Sequence, residues 1–434
     1  MMKTDLIEYR CCKLLVFYIF LIVSIGCAFL FEKNVNAIEI KANSCSASDI
    51  QSAIEKVIGA GGGTVNIPVC QADDSWGKGD YIYVKTDVTL RLKGAGIDST
   101  VIGYKDGDKP GNRADPSTGM YFGGYGLVEL SDFTFRGSDT AKIATGIKIY
   151  SMSTENLRVH HMRIQKFSNT ALYVCQNPNS PMIIDHNEIG DQYGRGMYGV
   201  RIHGTNQQSD YVIPASFGVN NPTAAFIEDN TFDKCYHSVS AFATSNVVFR
   251  HNRVKNPTSY IDGHGPCFDV GCKRDNDPNS GTYIYEIYDN TIDCGRYPWG
   301  VNIRGGTGII TDNSFISCNI GFRLEMERCS AGPNCKARQG CSHSNRDTGV
   351  CYQSPYQYWV WNNRLQGRGE IFGTDGNQCI RENHEYRLRA PQSGDPVSDY
   401  AKYPYPHPIV SGNPLSDNLQ FESIKLESKS KHSK

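Results

Sequence analysis

One short phrase recurs through the second half of this chain and narrows its fold more than any other feature. It reads Ile184-Asp-His-Asn187-Glu-Ile189, Ile227-Glu-Asp-Asn230-Thr-Phe232, Phe249-Arg-His-Asn252-Arg-Val254 and Ile287-Tyr-Asp-Asn290-Thr-Ile292. Ile310-Thr-Asp-Asn313-Ser-Phe315 and Val360-Trp-Asn-Asn363-Arg-Leu365 follow. Asn230 and Asn252 lie 22 residues apart and Asn290 and Asn313 lie 23 apart, while the wider gaps hold polar inserts rich in Pro and Gly. A unit this short, with two apolar strands, cannot bury its inward face alone. Stacked copies bury one continuous core, which is the logic of a solenoid. The spacing predicts asparagine at a turn, where it tolerates a left-handed backbone and its amide bonds to the next copy along the axis. Leucine-rich repeats share the period but not this framework, and a propeller wants blades of ~40 residues.

The flanks agree with a capped solenoid. Ser46-Ala-Ser-Asp49, followed by Ile50, Ala53, Ile54 and Val57, predicts an amphipathic helix with Asp49 as its N-cap. Gly59 to Gly63 end it, and Thr64 to Pro68, Val88 to Leu92 and Leu130 to Phe135 are expected as strands of early coils. Residues 411–434 are polar and close in Lys and Ser, the composition of a disordered tail. With 43 Gly and 25 Tyr the chain leans to an all-β architecture, and a net charge of −1 offers no field for nucleic acid.

The first segment reads as targeting. Lys3, Arg10 and Lys13 precede an apolar run from Leu14 to Phe31, and Val35-Asn36-Ala37 supplies a small-residue cleavage site. Residues 1–37 are therefore expected to be a signal peptide, with retention as a membrane anchor the alternative, and the mature protein is expected to be secreted, periplasmic or on the cell surface. Export leaves 13 of the 16 cysteines, an odd number, in an oxidising compartment that favours pairing. Cys329, Cys335, Cys341 and Cys351 crowd one insert and lack paired C-x-x-C ligands, so disulfides are expected there over zinc.

The opening run S-A-S-D-I-Q-S-A-I, then G-A-G-G-G-T-V-N-I-P and V-T-L-R-L-K-G-A-G, resembles pectate-lyase-like proteins. The asparagine phrases, R-G-G-T-G and Tyr403-Pro-Tyr-Pro-His-Pro408 resemble secreted bacterial β-helix repeat proteins. The resemblance spans residues 45–410 and implies a single right-handed parallel β-helix with long loop inserts. Such scaffolds act on acidic polysaccharides, yet one scaffold hosts several chemistries.

In a coil strand, side chains alternate in and out, so outward residues on successive coils line a trough suited to an extended polymer. The inserts at roughly 204–222, 255–282 and 328–354 would wall it. In Tyr260-Ile-Asp262-Gly-His264-Gly265 a carboxylate two residues from a histidine shares its face and can set its tautomer for acid/base work. The residue types resemble the Tyr…Asp-Pro-His-Asp motif of mannuronan carbon-5 epimerases, with Gly263 and Gly265 in place of Pro and Asp. Gly-His-Gly also resembles polygalacturonases, whose paired aspartates this chain lacks, and a hydrolase needs both carboxylates. Held only as a turn, the same phrase would be structural.

Removing the carbon-5 proton of a uronic acid also needs positive charge on the sugar carboxylate. Arg304, beside two glycines, is the expected clamp; Arg250 and Arg323 lie on neighbouring coils, and arginine grips carboxylates with two bonds. His237 and Trp299 are expected to line the groove, Trp299 by stacking on a sugar. Glu325 and Glu327, with Asn302 one coil earlier, resemble the calcium site of alginate and chondroitin lyases of this fold. The expected activity is thus a lyase or carbon-5 epimerase on a uronic-acid polymer, with calcium as a candidate cofactor. A glycan-binding or adhesive surface protein is the alternative, and a glycoside hydrolase the third.

Overall fold

The computed structural model describes residues 37–70, 76–77, 79–104, 118–138, 143–151, 157–177, 180–191, 198–204, 216–242, 245–257, 261–263, 282–295, 297–325, 355–374 and 380–411. The leader, the tail beyond 411, the four-cysteine insert and most of the three long inserts lie outside them. So do Tyr260, His264 and Glu327, as does the side chain of Asp262.

The described chain winds as a right-handed parallel β-helix. Its strands pair into a 12-stranded, a 10-stranded and a 9-stranded sheet, and neighbours within each sheet belong to successive coils. One coil shows the path. Strand His237–Phe242 lies in the 10-stranded sheet, Asn246–Arg250 in the 12-stranded one and Arg253–Lys255 in the 9-stranded one. Ile261–Gly263 then returns to pair, in parallel, with the strand where the coil began. Each coil therefore carries three strands, one more than the repeated phrase suggests. The phrase marks only the corner between the 12- and 9-stranded sheets. The third strand varies from coil to coil (HSVSAF, WGVNI, IGFRL) because its outward residues differ.

The asparagine corner works differently from the expectation in one respect. The left-handed residue is the one before each asparagine: His186, Asp229, His251, Asp289, Asp312 and Asn362, with φ between 51° and 58°. Its turn swings the asparagine inward. Asn187 Nδ2 donates to Asn230 Oδ1 at 2.9 Å, Asn230 to Asn252 at 3.0 Å and Asn252 to Asn290 at 3.1 Å. Asn290 donates to Asn313 and Asn313 to Asn363, each at 2.9 Å. The same oxygens accept the backbone N–H of the preceding asparagine, as Asn252 Oδ1 does from Asn230. A buried amide left without such partners would cost about 1–3 kcal/mol, so the ladder is what makes a polar residue tenable here.

The interior is one continuous apolar cluster running from the first coil to Ile380. It is capped at one end by the helix Ala47–Gly59, which buries Ile50, Ala53, Ile54 and Val57. Ser46, rather than Asp49, is the N-cap: its side chain accepts from the Asp49 N–H, and Asp49 sits in the acid-favouring first turn. Bulky rings reach the inner corners because small residues leave room. A Cβ on Gly321 would lie 2.8 Å from the Phe315 ring. Disulfides join Cys45 to Cys70 and Cys294 to Cys318, staples about one coil apart, and Cys175 is disulfide-bonded as well. Cys235 is buried and unpaired.

The last described segment crosses the outer face of the 12-stranded sheet. Val397 packs with Phe217, Ile309 and Trp359, and Tyr403 with Phe226, Val248 and Tyr288. His407 is fully buried here, its ring stacked on Tyr403, in keeping with a packing role. No helix among the described residues is long and apolar enough to cross a membrane.

Candidate functional site

The 10-stranded sheet carries most of the residues expected at the site. Val239, Ile261, Val301 and Phe322 are mutually in register and point into the core, so their successors point out. The outward row runs Tyr83, Tyr121, Lys148, Tyr173, Arg201, Ser240, Asp262, Asn302, Arg323. A second outward row, two residues on, holds Arg304 and Glu325. Glu325 donates its N–H to Ile303 O at 2.9 Å, which keeps the two coils aligned at that edge. Five residues expected at the site on sequence grounds (Asp262 by its backbone, with Asn302, Arg304, Arg323 and Glu325) thus share one face over three consecutive coils. Coils stack ~4.8 Å apart, so neighbours in a row sit at about the length of one sugar ring.

The contacts within this face are specific. Asn302 Nδ2 donates to Glu325 Oε2 at 2.8 Å, and Arg323 bonds the same oxygen at 3.1 Å. The Arg323 guanidinium also lies over the Trp299 ring, 4.1 Å from its centroid, covering one face of that ring. Trp299, Arg323 and Glu325 are half-buried, whereas Asn302 and Ser240 are fully buried. Among the described residues of this row, Ser240 Oγ and Asn302 Oδ1 are buried without a hydrogen-bond partner. In register they stand one coil to either side of Asp262. Buried polar groups are nearly always satisfied, and each exception calls for an explanation.

Two expectations are revised by these placements. Arg250 is not a groove residue. It projects from the 12-stranded sheet, its side chain is fully buried and ion-paired with Glu228, and it donates to Tyr403 O at 2.7 Å and Pro404 O at 2.9 Å. The two carbonyls come from 153 and 154 residues further along, so nothing local in the sequence could reveal them. His237 does lie on the 10-stranded sheet, but its ring is buried against Tyr198, stacked at 5.3 Å, and edge-on to Tyr236. It supports the face from beneath. Glu325 and Asn302 of the expected calcium set do meet, through the Asn302 Nδ2 bond to Glu325 Oε2. Its third member, Glu327, lies outside the described residues, among which no group of three or more His, Cys, Asp or Glu is arranged to hold a metal ion.

Sequence reasoning missed Ser240 and the N-terminal extension of the row. Arg201 lies over Tyr198 at 4.7 Å and over Tyr173 at 5.6 Å, and Lys148 lies over Tyr173 at 5.4 Å. Strand alternation in His-Ser-Val-Ser-Ala-Phe was the available signal, because it puts Ser240 outward between Val239 and Ala241.

No family model matches the chain, and no curated protein matches it. Solved structures do. A Geobacillus virus E2 protein is 15% identical over 78% of this chain, at a TM-score of 0.43; the chain spans 61% of that protein's length. A family PL6 polysaccharide lyase from Pseudopedobacter saltans is 12% identical over 84% of this chain and 90% of its own, at 0.41. An alginate lyase from a Paenibacillus species is 10% identical over 77% and 97%, at 0.39. The fold stands on the strand pairing described above and not on these likenesses.

Proposed function

We propose that this chain is an exported enzyme that acts on a uronic-acid polysaccharide by abstracting the carbon-5 proton, ending in β-elimination or in epimerisation. The observation that supports the proposal is the register that sets Asp262, Asn302 and Arg323 on one outward row, with Arg304 and Glu325 on the next, over three consecutive coils. Arg304, Arg323 and Glu325 are only half-buried there, so a polyanionic chain lying along the rod can reach their charges.

The chemistry assigns the other roles. Tyr260 or His264 removes the proton and a group of the same pair returns or delivers one, while Asp262 sets the tautomer of His264. Arg304, with Arg323 one coil on, neutralises the sugar carboxylate so that the enolate-like charge is stabilised as it forms. Asn302 and Arg323 hold Glu325 in place and so keep that edge of the face rigid. Glu325, Glu327 and Asn302 remain the candidate calcium set, and no step is routed through a metal. The disulfides support export, since such bonds persist in oxidising compartments.

The test is turnover of alginate, pectate and glycosaminoglycans by wild type and His264→Ala. An eliminase creates ends that absorb in the ultraviolet; an epimerase alters the sugar's proton spectrum without shortening the chain. Loss of either signal in the variant supports the roles given. Turnover that survives the exchange contradicts them, and tight binding of a uronan with no turnover by wild type replaces the enzyme with a glycan-binding protein.

A further inference from the structure

We infer that His160 and His161 form a two-point chelate for a transition-metal ion that favours imidazole, such as copper(II) or zinc(II), on the opposite flank of the rod from the polysaccharide face. These residues sit where the 12-stranded sheet turns to the 9-stranded one. His160 ends the strand Leu157–His160, and His161 is the left-handed corner residue, φ 50°. Their Nδ1 atoms lie 2.9 Å apart with the rings at 85°. Two nitrogens bound at about 2.0–2.1 Å to one tetrahedral ion stand only a few tenths of an ångström further apart than that. A small opening of the pair therefore admits an ion in place of the shared proton.

The surroundings fix the tautomer needed. His160 Nε2 is 3.1 Å from Glu129 Oε1, an acceptor-only carboxylate, so Nε2 holds the proton and Nδ1 presents its lone pair. Glu129 is itself held by Arg91 Nε at 3.0 Å. A carboxylate on the distal nitrogen is the usual second layer of a histidine metal ligand. His161 is exposed to solvent, which gives an ion access and leaves positions for water. His186 stacks on His161 with rings 5.0 Å apart and only 8° from parallel, so its lone pair runs alongside rather than converging; Asp185 Oδ2 holds its Nδ1 at 2.9 Å. His186 is a flank and not a ligand.

Copper(II) titrated into the full-length protein tests this, followed by calorimetry and by electron paramagnetic resonance, with zinc(II) as competitor. The expected result is a saturable site with a two-nitrogen signature, displaced by zinc. His160→Gln and His161→Asn should each weaken it at least ~10-fold, Asn being chosen because it keeps the left-handed corner. Glu129→Gln should weaken it by about 10-fold through loss of the orienting carboxylate, and His186→Asn by less than about threefold. Unchanged copper affinity in the His160→Gln/His161→Asn double variant overturns the proposal. So does a three-nitrogen signature that His186→Asn removes.

Discussion

The same coils present two outer faces with opposite habits. On the 12-stranded face the chain satisfies its own charges. Arg250 meets Glu228 and two carbonyls of the C-terminal segment, and the second Glu228 oxygen accepts the His407 N–H at 3.0 Å. Glu286, fully buried, accepts from the Gly218 N–H and from Asn221 Nδ2. Lys402 bridges Asp289 and Asp312 at 2.7 and 2.8 Å. On the 10-stranded face Arg304, Arg323 and Glu325 stay half-buried, within reach of solvent. The lesson is that burial and polarity alone do not mark a site in a solenoid. A charge buried against the chain's own groups holds the fold together, and one left at the surface is within reach of a ligand.

Breaking the satisfied face should cost most. Arg250→Ala strands Glu228 in the interior and frees the strap carbonyls, and is expected to lower stability by about 3–5 kcal/mol in urea unfolding. If the loss is under about 1 kcal/mol, the strap is not anchored through this arginine. Asn252→Ala removes one rung of the ladder, leaving the Asn230 N–H and amide without their acceptor. A loss of about 2–4 kcal/mol is expected by the same measurement.

Proton linkage sharpens the contrast further. Burial, with Arg250 close by, pushes the His407 imidazole down to about 3 from its ordinary 6.5. The unfolded chain then binds a proton that the folded one refuses between these values. The stability contributed is whole above pH 6.5 and is lost as pH falls towards 3, by up to about 1.4 kcal/mol per pH unit. Burial raises the Glu228 carboxyl, which acts in the opposite sense, so the slope is read as the difference between wild type and His407→Gln. A variant with the wild-type slope would remove His407 from this role.

The smallest stability effect belongs to the open face. Ser240→Ala deletes a buried hydroxyl that has no partner and should shift stability by less than about 1 kcal/mol in urea unfolding. A large stability loss there would mean that Ser240 has a structural partner and that the two faces do not differ.

Much of the fold was legible because its signal is local and repeated. The asparagine phrases mark every corner from Asn187 to Asn363, and the helix at Ala47–Gly59 shows its apolar spacing within a few residues, although its cap is Ser46 and not the Asp49 the sequence suggested. The left-handed position was misplaced by one because the sequence shows a polar pair without showing which member turns inward. The site was legible only in part. Residue type singled out Asp262, Arg304 and Glu325 and the register gathers them, but the same criterion promoted Arg250, whose true partners lie across the fold. Serine carries no such flag, and Ser240 became visible only through the strand that orients it.

The central claim, that the open row is the working face, is tested most directly by a crystal structure with a bound oligouronate. The sugar is expected along the rod over Asp262, with its carboxylates within hydrogen-bond distance of Arg304 and Arg323. An oligouronate seated on another face would contradict it.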